Sequence, residues 1–302
     1  MQEFVVQISS SEIQKEVKHL SNQIKKWTKN QLTYRFIRSA SKLYNYIIKP
    51  LENELQESDV HTLIIVSESS FCSIPYAILY DGNNFLIHKY AIAVIPSTQL
   101  TEVDSSIDSE NKPTLVCGLS KNLPFVKNET QYIQKIMNGK LLIDENFSKT
   151  NFLSEITQNK YFYIHLATHS FLGQSPFDNH LLLNAGEKIT LDELKGLFKK
   201  NINKRHSVNL LVLSACETAI GDERAALGLA GAVIQANVKS VIATLWPVID
   251  DDSATFMKQF YTELQNNKSK AEALSNTQKY MIANGYDHPM YWAGYLLVGD
   301  WK

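Results

Sequence analysis

Residues 161–170 read YFYIHLATHS and residues 208–218 read VNLLVLSACET, two apolar runs that each end in a small polar turn. Strands with one wet face alternate apolar and polar residues, whereas strands buried on both faces are apolar nearly throughout. The runs 161–167 and 208–213 are of the second kind. Between them lies one helical stretch, 191–198, about the content of a crossover connection, so the spacing predicts two parallel neighbours. In open parallel sheets, reactive groups gather beyond the carboxyl ends of the strands. One strand runs out into Thr168-His169-Ser170 and the other into Ser214-Ala215-Cys216, which brings His169 and Cys216 to one edge.

Outward from this pair the same alternation continues. Strands are expected at 114–117, 141–143, 240–245 and 291–298, and helices at 129–137, around Phe152, and over 224–235, 251–266 and 270–283. This is an α/β pattern with a mainly parallel sheet flanked by helices. Toward the amino terminus, a strand is expected at 4–7. Ile13, Val17, Leu20, Ile24 and Trp27 then recur at helical spacing, and Leu32, Phe36, Leu43 and Ile47 mark a second helix that Pro50 ends or kinks. Sheet segments follow at 62–66, 85–87 and 91–95. Residues 101–112, TEVDSSIDSENK, read as a polar surface loop.

Composition narrows the function. The chain has 302 residues, 44% of them hydrophobic, with Lys+Arg 30 against Asp+Glu 31. Such a balance excludes disorder as the main state and argues against a direct nucleic-acid or anionic-membrane binder. The sequence has no apolar run of membrane-spanning length and no signal-peptide pattern, so a cytoplasmic protein without membrane contact is expected. Its three cysteines, Cys72, Cys117 and Cys216, do not form a disulfide framework.

A thiol and an imidazole at adjacent strand ends are the minimal set for nucleophilic acyl transfer. Cys216 also precedes a helix, so turn N–H groups are available to stabilise a thiolate or an oxyanion. A cysteine after an apolar strand is more often a small buried hydrophobe, and spacing alone does not lift it above that reading. His165 and His169 have the separation of a helical zinc motif, but in a strand they stand roughly 13 Å apart and cannot share a metal. His165 reads as a packed core histidine or one standing behind the site, Cys72 and Cys117 as structural, and Asp178 and Glu217 as solvated carboxylates. The sequence contains no GxSxG, phosphate-binding loop or GxGxxG, so no cofactor and no metal is expected. Gly221, Gly228 and Gly231 suit close helix packing.

The ordered strings HLATHS (165–170), LVLSACETAIGDE (211–223), VIATLWPVIDDDSATFMKQFY (241–261) and PMYWAGYLLVGD (289–300) resemble the CHAT domain, a caspase-like relative of separases. SIPYAILYDG (73–82), VIPSTQL (94–100) and Glu129, a few residues past Leu123-Pro124, fit the same resemblance. It implies a caspase-like fold with an inactive caspase-like amino-terminal part, residues 1–112, and a catalytic part, residues 113–302. It also implies a Cys–His dyad of Cys216 and His169 that cleaves peptide bonds, with backbone N–H groups of Ser170 and Cys216 as the oxyanion hole. Where the family has Gly after the dyad histidine this chain has Ser170, which would be strained if that turn required positive φ. LWPVIDDD resembles the separase segment whose Asp binds the substrate arginine, and this makes Asp250 the expected specificity residue. The alternative for the three acids is the N-terminal charge of a helix, with Asp252 as its cap. The partners implied are a protein substrate and a regulatory domain or separate protein, of helical-repeat or sensor type, that relieves inhibition; several members act in bacterial defence. The rival functions are a silent interaction module and another thiol acyl-transfer enzyme.

Overall fold

A computed structural model describes residues 6–26, 34–66, 71, 73–95, 112–171, 179–202, 207–214 and 223–302. The chain opens with α1 (Ser10–Lys25), whose Ser9 hydroxyl accepts the Glu12 N–H, and α2 (Phe36–Ile47). Ile13, Val17, Leu20 and Ile24 of α1 and Phe36, Ala40 and Leu43 of α2 are buried, as their spacing requires. Pro50 sits in a single 3-10 turn, Lys49–Leu51, and is tolerated there because the first helical residues need no N–H donor. Next come α3 (Glu52–Glu57), β1 (Thr62–Val66), a one-turn α4 (Leu86–Lys89) and β2 (Ala91–Ile95). The carboxyl-terminal part alternates β3 (Thr114–Gly118), α5 (Val126–Met137), β4 (Lys140–Ile143), α6 (Lys149–Gln158) and β5 (Tyr163–Ala167). After three short strands, β6 (Ser170–Phe171), β7 (His180–Leu182) and β8 (Lys188–Thr190), it continues with α7 (Leu191–Ile202), β9 (Leu210–Leu213) and α8 (Glu223–Ile234). It closes with β10 (Ser240–Thr244), α9 (Asp250–Gln265), α10 (Lys270–Ala283) and β11 (Tyr295–Gly299).

Eight strands form one sheet in the order β1-β2-β11-β10-β9-β5-β3-β4. Pairing is parallel within β1-β2-β11 and within β10-β9-β5-β3-β4, and the two blocks meet antiparallel at β10 and β11. The amino-terminal strands therefore extend the same sheet while pointing their carboxyl ends to the opposite edge. Every residue of β2, β3, β5, β9, β10 and β11 is buried. Two glycines permit close approaches that position the site. A Cβ on Gly118 would meet Val126 Cγ1 at 2.8 Å, so α5 presses directly on β3. Gly299, at φ 103°, ends β11 against the Lys239 carbonyl, where a Cβ would lie 2.3 Å from that oxygen.

Some expectations need correction. Residues 85–87 are not a strand: Phe85 makes a lone bridge to Tyr80, and Leu86 starts α4. The 4–7 strand falls partly outside the described residues, and Val6 and Gln7 are irregular. The last strand starts at Tyr295, because Pro289–Tyr291 forms a 3-10 turn first. The crossover from β5 to β9 holds a three-stranded antiparallel sheet as well as α7. Trp27, Leu32 and the 101–112 loop up to residue 111 lie outside the described residues. Among the described residues, no helix is long and apolar enough to cross a membrane.

Candidate active site

β5 and β9 pair in parallel with Leu166 opposite Leu213, as the two apolar runs predicted. His169 lies three residues past Leu166, and Cys216 lies three residues past Leu213 in sequence. Cys216 itself is outside the described residues, as are Cys72, Asp178, Glu217 and Gly221.

The exit of β5 is held by β7. The Thr168 hydroxyl donates to the Leu182 carbonyl at 2.7 Å, and the Leu182 N–H donates to the His169 carbonyl at 2.9 Å. Ser170 pairs with Leu181 in β6 and is not among the positive-φ residues, so serine is accommodated without strain at the position where the family has glycine. The His169 ring is half-buried, and its Nε2 lies 3.2 Å from the Lys121 carbonyl. A carbonyl only accepts, so in this contact Nε2 is the donor. His169 borders a cleft of about 540 Å³ walled by Ser120, Lys121, Asp144, Glu145 and the 182–186 segment. Burial alone would raise the Asp144 carboxyl. The Ser120 N–H at 2.8 Å, the Ser120 hydroxyl at 2.9 Å and Lys127 at 3.1 Å together hold it below the usual carboxylate range.

Asp250 is the first residue of α9, behind Ile249, which supplies no side-chain cap, so Asp252 sits inside the first turn and does not cap it. Asp250 Oδ2 accepts the Phe125 N–H at 2.8 Å, joining the start of α9 to the residue that precedes α5. Burial pushes the Asp250 carboxyl up, with Glu129 and Asp251 adding to the effect; the Phe125 N–H and His169 pull the other way.

Below the strand ends lies a buried polar cluster. His165 is fully buried, with Nε2 2.9 Å from Glu129 Oε1, and the Ser214 hydroxyl donates to that oxygen at 2.5 Å. Ser253 of α9 donates to the Ser214 carbonyl at 3.2 Å, and Tyr261 packs edge-on to the His165 ring. Sequence reading placed His165 in the core but attached no contact to Glu129, Ser214 or Ser253. One signal was available. Glu129 falls on the same helical face as Val126 and Ile133, and a carboxylate on a buried face needs a partner. Cys117 is also buried, and burial pushes its thiol well up, in keeping with a structural role.

Comparison with known proteins fits this arrangement. The chain is 24% identical over 320 residues to human tetratricopeptide repeat protein 28, and the match takes in 85% of this chain and 13% of that one. The mouse protein of the same name is 23% identical, with the same coverage. The chain thus spans about an eighth of the length of these curated relatives. Its fold resembles that of separase in the Saccharomyces cerevisiae separase–securin complex, with a TM-score of 0.56 at 13% identity over 97% of this chain and 23% of that one. It also resembles the Arg-specific cysteine proteinase gingipain R of Porphyromonas gingivalis, with a TM-score of 0.60 at 8% identity over 96% of this chain and 74% of that one. The fold is thus the mainly parallel, helix-flanked α/β sheet of caspase-like peptidases. Residues 38–300 match the CHAT domain, and the chain belongs to that family.

Proposed function

We propose that the chain is a cysteine endopeptidase working through Cys216 and His169. The observation that carries this reading is the β5–β9 register, which sets the His169 turn at the mouth of a cleft beside the strand exit that leads to Cys216. In the proposed cycle, His169 takes the thiol proton and the thiolate attacks the peptide carbonyl. N–H groups of Ser170 and Cys216 stabilise the oxyanion. The tetrahedral adduct then expels the amine, which takes the proton from His169, and water hydrolyses the resulting thioester. Asp250 is the acid that selects Arg or Lys before the cut. Residues 113–302 carry the catalysis and residues 1–112 form the inactive half.

The substrate is a protein in the cytoplasm, and activity rises when a regulatory domain or partner engages the chain. Two names support a protein partner: the curated relatives are tetratricopeptide repeat proteins, and one structural neighbour is a separase–securin complex. The test is incubation of the chain for hours with an arginyl acyloxymethyl ketone, read by mass spectrometry, followed by peptide cleavage assays. An adduct on Cys216 is expected. Cys216→Ala should abolish it, and His169→Ala should slow it by at least about 1,000-fold. If iodoacetamide alkylates Cys216 but the ketone does not, the chain is a silent interaction module. Ketone labelling without peptide cleavage would mark a thiol acyl-transfer enzyme instead.

A further inference from the structure

The proposed cycle makes no use of Glu129, although this carboxylate lies directly under the dyad strands and is only 1% exposed. Three elements meet at it and a fourth backs them: α5 supplies Glu129, β5 supplies His165, the exit of β9 supplies Ser214, and α9 sets Ser253 on the Ser214 carbonyl and the ring of Tyr261 against His165. Ser214 is the last described residue before Cys216, two positions on in sequence, and each of its polar groups is held by a different element. Its N–H donates to the Leu166 carbonyl of β5 at 3.0 Å, its carbonyl accepts from Ser253 of α9, and its hydroxyl donates to Glu129 of α5. The same Glu129 oxygen faces His165, four residues before His169.

We propose that Glu129 is a positioning residue that ties the β9 exit to β5 and so sets where the chain leaves toward Cys216 relative to His169. The inference rests on the dyad reading above. A buried charge carries a desolvation penalty, and replacing such a group with a well-packed hydrophobe is often neutral or stabilising, so stability alone does not account for a carboxylate here. The face of α5 around it is otherwise lined by Val126, Thr130 and Ile133, where an apolar residue would pack. Placement does account for it: a displacement of about 1 Å in reacting groups costs on the order of 100-fold in rate.

The experiment measures kinact and KI for the arginyl ketone on the full chain, alongside iodoacetamide alkylation of Cys216 and circular dichroism. Glu129→Ala should lower kinact by about 100-fold while KI changes less than about threefold. Glu129→Gln keeps an acceptor for the Ser214 hydroxyl and should return kinact to within about fivefold of wild type. Ser214→Ala cuts the same link from the other end with a smaller perturbation. It should lower kinact by about tenfold, and it stands in for Glu129→Ala if that variant fails to fold. A purely structural role predicts that every folded variant labels at the wild-type kinact, and that result would overturn the inference alone. A wild-type chain that iodoacetamide alkylates but the ketone does not would overturn the peptidase reading, and this inference with it.

Discussion

At the amino ends of β9 and β10, Lys270 Nζ lies 3.2 Å from Asp300 and 3.0 Å from Asn209 Oδ1, with both charged side chains buried. Toward the carboxyl ends of β5 and β9, Glu129 accepts from the Ser214 hydroxyl and lies 2.9 Å from His165 Nε2 in an equally dry setting. In each cluster a buried carboxylate is partnered, Asp300 by Lys270 and Glu129 by the Ser214 hydroxyl. They differ in what they join. Lys270 opens α10, Asp300 follows β11, and Asn209 precedes β9, so the first cluster staples a helix to two strand ends. A lysine in a first helical turn opposes the helix dipole, which makes Asp300 its necessary partner. This staple arises because β11 runs antiparallel to β10 and delivers its carboxyl end to the edge away from His169. A buried ion pair therefore does not by itself mark a functional site. Its place relative to the carboxyl ends of the parallel strands does.

The sharpest contrast comes from the dyad. His169→Ala and Cys216→Ala should remove at least about 1,000-fold of activity with the thermal midpoint unchanged, since His169 lies beyond its strand and not mid-core. The staple should behave in the opposite way. Lys270→Met leaves Asp300 buried without its charge partner and should cost roughly 3 to 5 kcal/mol in urea unfolding, while the folded fraction labels with the ketone at the wild-type rate. Adding Asp300→Leu should recover much of that loss. If Lys270→Met instead lowered kinact in folded protein, the distinction between the two edges would fail.

Acid acts at a third buried group, outside both clusters. His288 Nδ1 accepts the Met290 N–H at 3.2 Å, which requires the unprotonated nitrogen, and burial lowers its pKa to about 4. Because the unfolded histidine binds its proton near pH 6.5, this stabilising contribution is complete above that pH. It is lost as pH falls from about 6.5 toward 4. His288→Asn keeps an acceptor for Met290 and should flatten the stability curve over that window. An unchanged curve would show that this histidine does not control the acid response. The smallest effect is expected at Asp250, already engaged with Phe125: Asp250→Asn should reduce the preference for an arginyl over a leucyl ketone by about tenfold, with stability nearly unchanged. An Asp250→Asn enzyme that kept its arginine preference would remove Asp250 from substrate recognition.

Much of this architecture was legible in the order of residues. The runs at 161–167 and 208–213 announced doubly buried parallel strands, and Ile13, Val17, Leu20 and Ile24 announced α1, because side-chain periodicity is a local property. Phe85-Leu86-Ile87 misled for the same reason, since an apolar triplet is too short to show whether its period is two or 3.6. The strands β6, β7 and β8, of two or three residues each, carry no period at all.

By itself, the sequence determined the alternation of strands and helices, the family pattern, and the placing of His169 and Cys216 after neighbouring buried strands. Tertiary structure alone decided that β11 turns antiparallel beside β10, that Asp250 reaches Phe125, and that Glu129 meets His165 and Ser214, the latter 85 residues away in sequence. The reason is physical. Periodicity and turn chemistry act over a few neighbouring residues, whereas the partner of a buried charge is set by which elements the sheet order and helix packing bring together.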